Sequence, residues 1–410
     1  MKTKKNAILL VLLLSIVSCS NNLTPVPEPA DIVMNTKSLQ LIKADNAFTF
    51  NLFKAIPESR GKNVMVSPLS ISLALSMALN GAEGTTKTDM IAALGLKELS
   101  VEEINQVYLE LVTALKKADP NVVMNVANSI WIRKDFPVLD PFIAANQKYY
   151  DASVEKLIFD LSAVNTINSW VNEKTNTKIP KILDDISADE IMFLINAIYF
   201  NGKWQVQFEK SQTQNGSFTL STGGEASILL MKIKAKLGYS KQSGYEALKM
   251  PYGRGKFGMV ILLPEVGKTP DQIMQLMNPS TWETLKASLN SSAKVDVWMP
   301  RFKFEWESDL NETLSSLGMA VAFSESEANF SKINSDDQLF ITKVKHKTYI
   351  EVNEEGTEAA AVTSIGIGTT SAGPAEPEFH AVRPFLFFIT EEDTGAILFA
   401  GKVENPLLDN

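Results

Sequence analysis

The sequence predicts an α+β fold built as one large domain. Three observations carry this prediction. Helix-period patterns run from the mature N-terminal region to Lys117, and strand-like patterns dominate after it, with helices interspersed. No Pro/Ser/Gly-rich internal linker divides the 410 residues. With 45% hydrophobic and 21% charged residues, the chain has apolar material for a large core. The formal net charge is −8, with both signs mixed along the chain and no basic stripe, so nucleic acid is not an expected partner.

The N-terminus reads as a targeting segment. Lys2, Lys4 and Lys5 precede an apolar run from Ala7 to Val17, too short to span a bilayer as a mature helix. The run ends at Ile16-Val17-Ser18-Cys19, which resembles a bacterial lipobox. Residues 1–18 are therefore expected to be a lipoprotein signal peptide and Cys19 the lipidated residue. The alternative is an ordinary signal peptide that contains a Cys. Either way the protein is expected outside the cytoplasm: anchored on the periplasmic face or cell surface, or secreted. Cys19 is the only cysteine, so stability must come from packing and not from an intramolecular disulfide. Residues 19–35, with Pro25, Pro27 and Pro29, read as an extended tether. The main domain is expected over 36–410.

The elements follow in order. Asn35 to Lys54 has helical spacing. Ser67-Pro68 opens a second helix, since Ser caps free N–H groups and Pro tolerates the first helical position. Leu69 to Leu79 is apolar nearly all round, which predicts a buried helix, stopped by Gly81. Thr86 to Leu94, ended by Gly95, and Val101 to Lys117 are two more helices. Val122 to Ile132 is strand-like, and Ile191 to Phe200 suits a central strand covered on both faces. Tyr245 to Pro251 and Phe257 to Leu263 flank Gly253-Arg254-Gly255-Lys256 as a hairpin. Val295 to Trp306 and Phe340 to Asn353 read as long strands. Phe385 to Thr390 and Ala396 to Val403 close the chain as a hairpin around Asp393-Thr394-Gly395.

Gly356 to Phe379 breaks the pattern. It is small in bulk, lacks a core-forming stripe and is long for a loop in a compact domain. Its first half alternates, with Thr357, Ala359, Ala361, Thr363, Ile365 and Ile367 on one uncharged face. That face could be buried as a strand. The segment can be a loop or a strand.

Glu354-Glu355-Gly356-Thr357-Glu358-Ala359-Ala360-Ala361-Val362-Thr363 resembles the hinge of inhibitory serpins. Asn63 to Ile71 resembles the family's central-helix motif and Asn196 to Trp204 its breach-strand motif. Met250-Pro251-Tyr252, Met299-Pro300-Arg301-Phe302, Asp309-Leu310, Leu317-Gly318-Met319, Phe330-Ser331, Arg383 to Ile389 and Gly401 to Pro406 recur in family order. The resemblance covers residues 36 to 408.

It implies helices packed around three β-sheets, with an exposed reactive-centre loop at about 354–379. It also implies a mechanism: a protease cleaves the loop, is held as an acyl-enzyme, and is trapped as the hinge inserts into the main sheet; serpin loop insertion is itself an example in general accounts of strand addition and switching. Hinge residues Gly356 to Thr363 would then be exposed before cleavage and buried after it. Ser67, Ser70, Asn196 and His346 match the family's shutter, and Trp204, Arg301 and Glu354 its breach, where an Arg301–Glu354 ion pair would restrain the hinge. Counting forward from the hinge at family spacing puts the scissile bond at Thr370-Ser371, the preferred assignment. Counting back from Pro384-Phe385 puts it near Gly373. Small residues there suit elastase-like serine proteases, and papain-like cysteine proteases are also compatible. A monomer is expected.

An enzyme is not expected. His346 is the only plausible base, and no G-x-S-x-G elbow is present. One Cys and two His argue against a zinc site, and no cofactor is implied. The competing reading is a non-inhibitory surface binding or scaffold protein of the same fold. The small, uncharged hinge face speaks against it.

Overall fold

A computed structural model describes residues 27–57, 60–187, 189–289, 292–357 and 376–408. Cys19 and the signal segment, Glu358, Ala359, Ala360, Ala361, Val362, Thr363 and the Thr370–Ser371 bond lie outside the described residues.

Among the described residues the helices are α1 (Thr36–Ala55), α2 (Pro68–Leu79), α3 (Gly84–Ala93), α4 (Val101–Leu115), α5 (Asp140–Tyr150), α6 (Leu161–Lys174), α7 (Pro270–Leu276), α8 (Pro279–Ser288) and α9 (Asn311–Leu314). The strands are β1 (Val64–Val66), β2 (Val122–Arg133), β3 (Ser153–Leu157), β4 (Met192–Lys203), β5 (Gln214–Thr219), β6 (Glu225–Gln242), β7 (Tyr245–Tyr252), β8 (Phe257–Pro264), β9 (Ser292–Pro300), β10 (Phe302–Asp309), β11 (Lys345–Asn353), β12 (Gly356–Thr357), β13 (Glu378–His380), β14 (Phe385–Glu391) and β15 (Ile397–Val403).

The first two helices start at side-chain caps, of which Ser67 was expected. The Asn35 side chain accepts from the Ser38 N–H, and Ser67 accepts from the Ser70 N–H. α3 is followed by Gly95 at φ +72°, the left-handed conformation that glycine supplies at a helix end. Gly81 differs from expectation. It is not in the left-handed region, and a Cβ there would sit 2.2 Å from Ile333 Cγ1. Close packing, not a turn, requires that glycine.

The strands form two hydrogen-bonded sheets among the described residues. One has six strands in the order β10-β11-β12-β4-β2-β3. The other has nine, in the order β1-β15-β14-β8-β7-β6-β9-β13, with β5 also paired to β6. Three sheets were expected. The two smaller ones are continuous here because the long β6 pairs with β9 through Leu230–Gly238 and then with β7 through Gly238–Gln242. The expected single strand from Val295 to Trp306 is broken at Pro300-Arg301, leaving β9 in one sheet and β10 in the other. A proline cannot donate to a ladder, so a strand readily ends there. The expected strand from Phe340 begins only at Lys345.

α2 packs against both β4 and β15, one from each sheet, and is buried along nearly its whole length. The outer face of β2 and β4 is covered by α6 and the segment after it, in a cluster that includes Trp131, Ile167, Ile182 and Ile195. β4 is therefore covered on both sides, as expected. On its inner face Met192, Leu194, Asn196 and Ile198 are only half-buried. The tether prediction needs a new boundary. The Ala30 N–H donates to the Ala118 carbonyl (3.0 Å), the Ile32 N–H donates to Asp393 Oδ2 (2.8 Å), and Ile32 is buried. The chain is thus held against the body from Ala30 onward, before α1 begins.

Candidate functional site

The site is the top of the six-stranded sheet, where β11 turns back on itself. After Asn353 the chain reverses through Glu354-Glu355, and Gly356–Thr357 returns antiparallel to β11 while also pairing antiparallel with β4. Val352 and Gly202 flank Thr357, and Asn353 and Lys203 flank Gly356. Two backbones meet closely there: a Cβ on Gly356 would lie 2.1 Å from the Gly202 carbonyl oxygen. Only glycine fits that approach.

This corrects the expected position of the hinge start. Thr357 is 4% exposed, already a strand residue in the uncleaved chain. Its Oγ1 lies 2.6 Å from the Tyr252 hydroxyl. The side-chain alternation that makes Thr357 suitable for burial also lets it enter the sheet before any cleavage.

The turn is tied down by charge. Glu354 is 1% exposed and accepts from Arg301 Nε (2.7 Å), from Arg301 Nη2 and from the Thr213 hydroxyl. Burial pushes its carboxyl up, but the hydrogen bonds from Arg301 and Thr213 and the Arg301 charge outweigh that, and it sits below the ordinary glutamate range. Glu355 pairs with Lys210. Trp204 frames the turn from below. Its N–H donates to the Glu355 carbonyl (2.8 Å), its indole Nε1–H donates to the Asn353 carbonyl (3.0 Å), and its ring stacks on Tyr252 at 4.4 Å. Trp204, Arg301 and Glu354 therefore meet around one turn.

Below Thr357 the two neighbouring strands separate. Among the described residues β4 and β11 have no ladder with each other, and each pairs with β12. A small cavity of about 20 Å³ lies next, lined by Thr357, Phe200, Ile350, Ile198 and Thr348 among others. Further down is a larger cavity of about 330 Å³, whose walls include Ser70, Asn196, Leu194, Met192, His346 and Val344.

The four expected shutter residues are only partly joined. The Ser67 N–H donates to His346 Nε2 (3.0 Å), and the Ser67 hydroxyl donates to the Leu398 carbonyl (2.9 Å). Ser70 joins through its backbone N–H, which donates to Ser67 Oγ (3.4 Å). Burial pushes the His346 imidazole down to about 3, so the ring is neutral and its proton sits on Nδ1. Asn196 does not join them. Its Nδ2–H donates to Asn128 Oδ1 (2.7 Å), and its Oδ1 is buried without a partner among the described residues. Asn196 and His346 instead both line the larger cavity.

Sequence reasoning assigned no role to Tyr252, although it quoted Met250-Pro251-Tyr252, and it passed over Thr213, Lys210 and Asn128. Nothing local marks these residues; they reach the site only through strand pairing. No group of three or more His, Cys, Asp or Glu that could hold a metal occurs among the described residues.

A fold with a short strand threaded between two parallel strands, under a charged turn, points to one family. The family profile described as "Serpin (serine protease inhibitor)" matches residues 43–406. The chain belongs to the serpin family. It is 36% identical over 377 residues to human Serpin B8, covering 89% of this chain and 99% of that protein. It is 34% identical over 380 residues to human leukocyte elastase inhibitor, covering 90% of this chain and all of that one. The crystal structure of the thermophilic serpin tengpin in its native state superposes with a TM-score of 0.83 at 32% identity, covering 92% of this chain and 96% of that chain.

Proposed function

We propose that the protein is an irreversible suicide-substrate inhibitor of proteases. The observation that carries this reading is β12, a strand already begun in the gap that loop insertion would fill. Pairs with β11 sum to 709 and pairs with β4 sum to 559. Ala359 would fall between Ile350 and Phe200, Ala361 between Thr348 and Ile198, and Thr363 between His346 and Asn196. These neighbours are the residues that line the two cavities. Glu358, Ala360 and Val362 would take the opposite face. Ala359 and Ala361 would add only a methyl group each on that face, and the Thr363 hydroxyl would meet the unpartnered Asn196 Oδ1.

In this reading Thr370-Ser371 is the bait bond. A protease serine attacks the Thr370 carbonyl, the Ser371 amine leaves, and Thr370 remains as an ester on the protease. Insertion then competes with hydrolysis of that ester. Small residues at the bait favour elastase-like serine endopeptidases, and the likeness to a protein named leukocyte elastase inhibitor points the same way. Cys19 would carry a lipid that anchors a monomer outside the cytoplasm.

Incubation with an elastase-like protease, followed by a denaturing gel, tests the reading. An adduct with the summed mass of inhibitor and protease is expected. Clean cleavage with no adduct, across several serine and cysteine proteases, would remove it.

A further inference from the structure

Tyr252 ends β7 with its side chain wholly buried, and its ring cannot retreat. Trp204 stacks on it with an interplanar angle of 11°, Phe200 meets it edge-on at 5.2 Å, and the Gly202 backbone packs so closely that a Cβ there would be 3.0 Å from the ring. Burial pushes the phenol pKa well up, so the hydroxyl keeps its proton. Its hydrogen-bond partner among the described residues is Thr357 Oγ1.

We infer that Tyr252 is a positioning residue that holds the hinge two residues deep in the sheet before cleavage, and so limits how freely the bait loop is presented to a protease. The functional half of this statement rests on the inhibitory reading above; the positional half does not. A fixed buried hydroxyl is satisfied with Thr357 inside the sheet and loses that bond when the hinge withdraws. A buried polar group without a partner is costly, whereas replacing both partners by apolar groups of similar shape is nearly neutral.

The test therefore uses Tyr252→Phe, which keeps the ring, and the double variant Tyr252→Phe/Thr357→Val. Hydrogen exchange of the Gly356 and Thr357 amides is measured in the uncleaved proteins, together with the rate of loop cleavage by an elastase-like protease. In Tyr252→Phe the Thr357 hydroxyl is stranded, so hinge exchange should speed up by roughly tenfold. Loop cleavage should quicken in the same direction. In the double variant both oxygens are gone, and exchange and cleavage should return toward the wild-type values. General damage from losing the tyrosine hydroxyl would not be rescued by a second substitution. If Tyr252→Phe leaves hinge exchange at the wild-type rate, or if the double variant is looser still, the inference is wrong. If exchange responds and is rescued but no variant forms an adduct, the positioning role stands and the inhibitor reading fails.

Discussion

Asp45 on α1 shows how single buried residues set the pH response of this fold. Its Oδ1 accepts from the Tyr108 hydroxyl (2.8 Å), and its Oδ2 is buried with no partner among the described residues. Burial pushes its carboxyl up to about 7, against the hydrogen bond from Tyr108 that pulls it down. A folded pKa above the unfolded one stabilises the fold at low pH. That contribution is present below about 3.8 and lost as pH rises through 7. His346 works the other way. Its folded pKa of about 3 lies below the unfolded value, so stability is intact above about 6.5 and lost as pH falls toward 3. Between pH 4 and pH 7 the two oppose each other. Asp45→Asn removes one of them. The variant should lose on the order of 3 kcal/mol more stability than wild type when the pH drops from 7.5 to 4.5, read by denaturant unfolding at both values. Matching pH profiles would show that Asp45 does not carry its proton into the fold. Neither residue announces this in the sequence. His346 could be singled out by its motif, but its neutral state and the separate pairing of Asn196 with Asn128 depend on which strands meet.

At the scale of the element, the sequence placed Gly356 and Thr357 in an exposed segment, and the structure has them buried in a strand. The alternating uncharged face from Thr357 to Ile367 was readable because strand side chains repeat every two residues. That β12 is already paired was not, since pairing depends on Gly202 and Gly356 meeting backbone to backbone. The same distinction runs through the fold. α1, α2 and α4 start behind Asn35, Ser67 and Ser100, whose side chains accept from first-turn N–H groups, because caps are local chemistry; α3 starts behind Glu83 with no side-chain cap. The run of β6 from β9 to β7 within the nine-stranded sheet is tertiary and left no local mark, whereas the break at Pro300 carries a local one in the proline itself. Because Thr357 is buried before cleavage, Thr357→Arg should act at two stages. The charge would stall insertion, and it would also face burial before cleavage, which costs several kcal/mol unless the hinge withdraws. The variant should be cut as fast as wild type or faster, consume many more inhibitor molecules per protease inactivated, and melt below wild type even when uncleaved. Unchanged stoichiometry would show that the hinge does not enter through this face.

At the scale of the whole molecule, the two sheets, the helix α2 between them and the gap between β4 and β11 describe a fold with one strand position only partly used. No helix among the described residues is long and apolar enough to cross a membrane. Cys19→Ala should release the protein from the membrane fraction and abolish labelling with fatty acid. Persistent labelling would contradict the lipobox assignment. On the proposed inhibitory reading, the sheet before cleavage is held by a kinetic barrier and its stability is not its maximum. Thermal melting of the intact protein and of protein cut at the bait loop, with the cut mapped by intact mass, tests this most directly. Cleavage within a few residues of Thr370-Ser371 should raise the melting temperature markedly, because the freed strand fills the gap and pairs with both β4 and β11. A cut protein that melts at or below the temperature of the intact one would show that the gap is not a site for the loop.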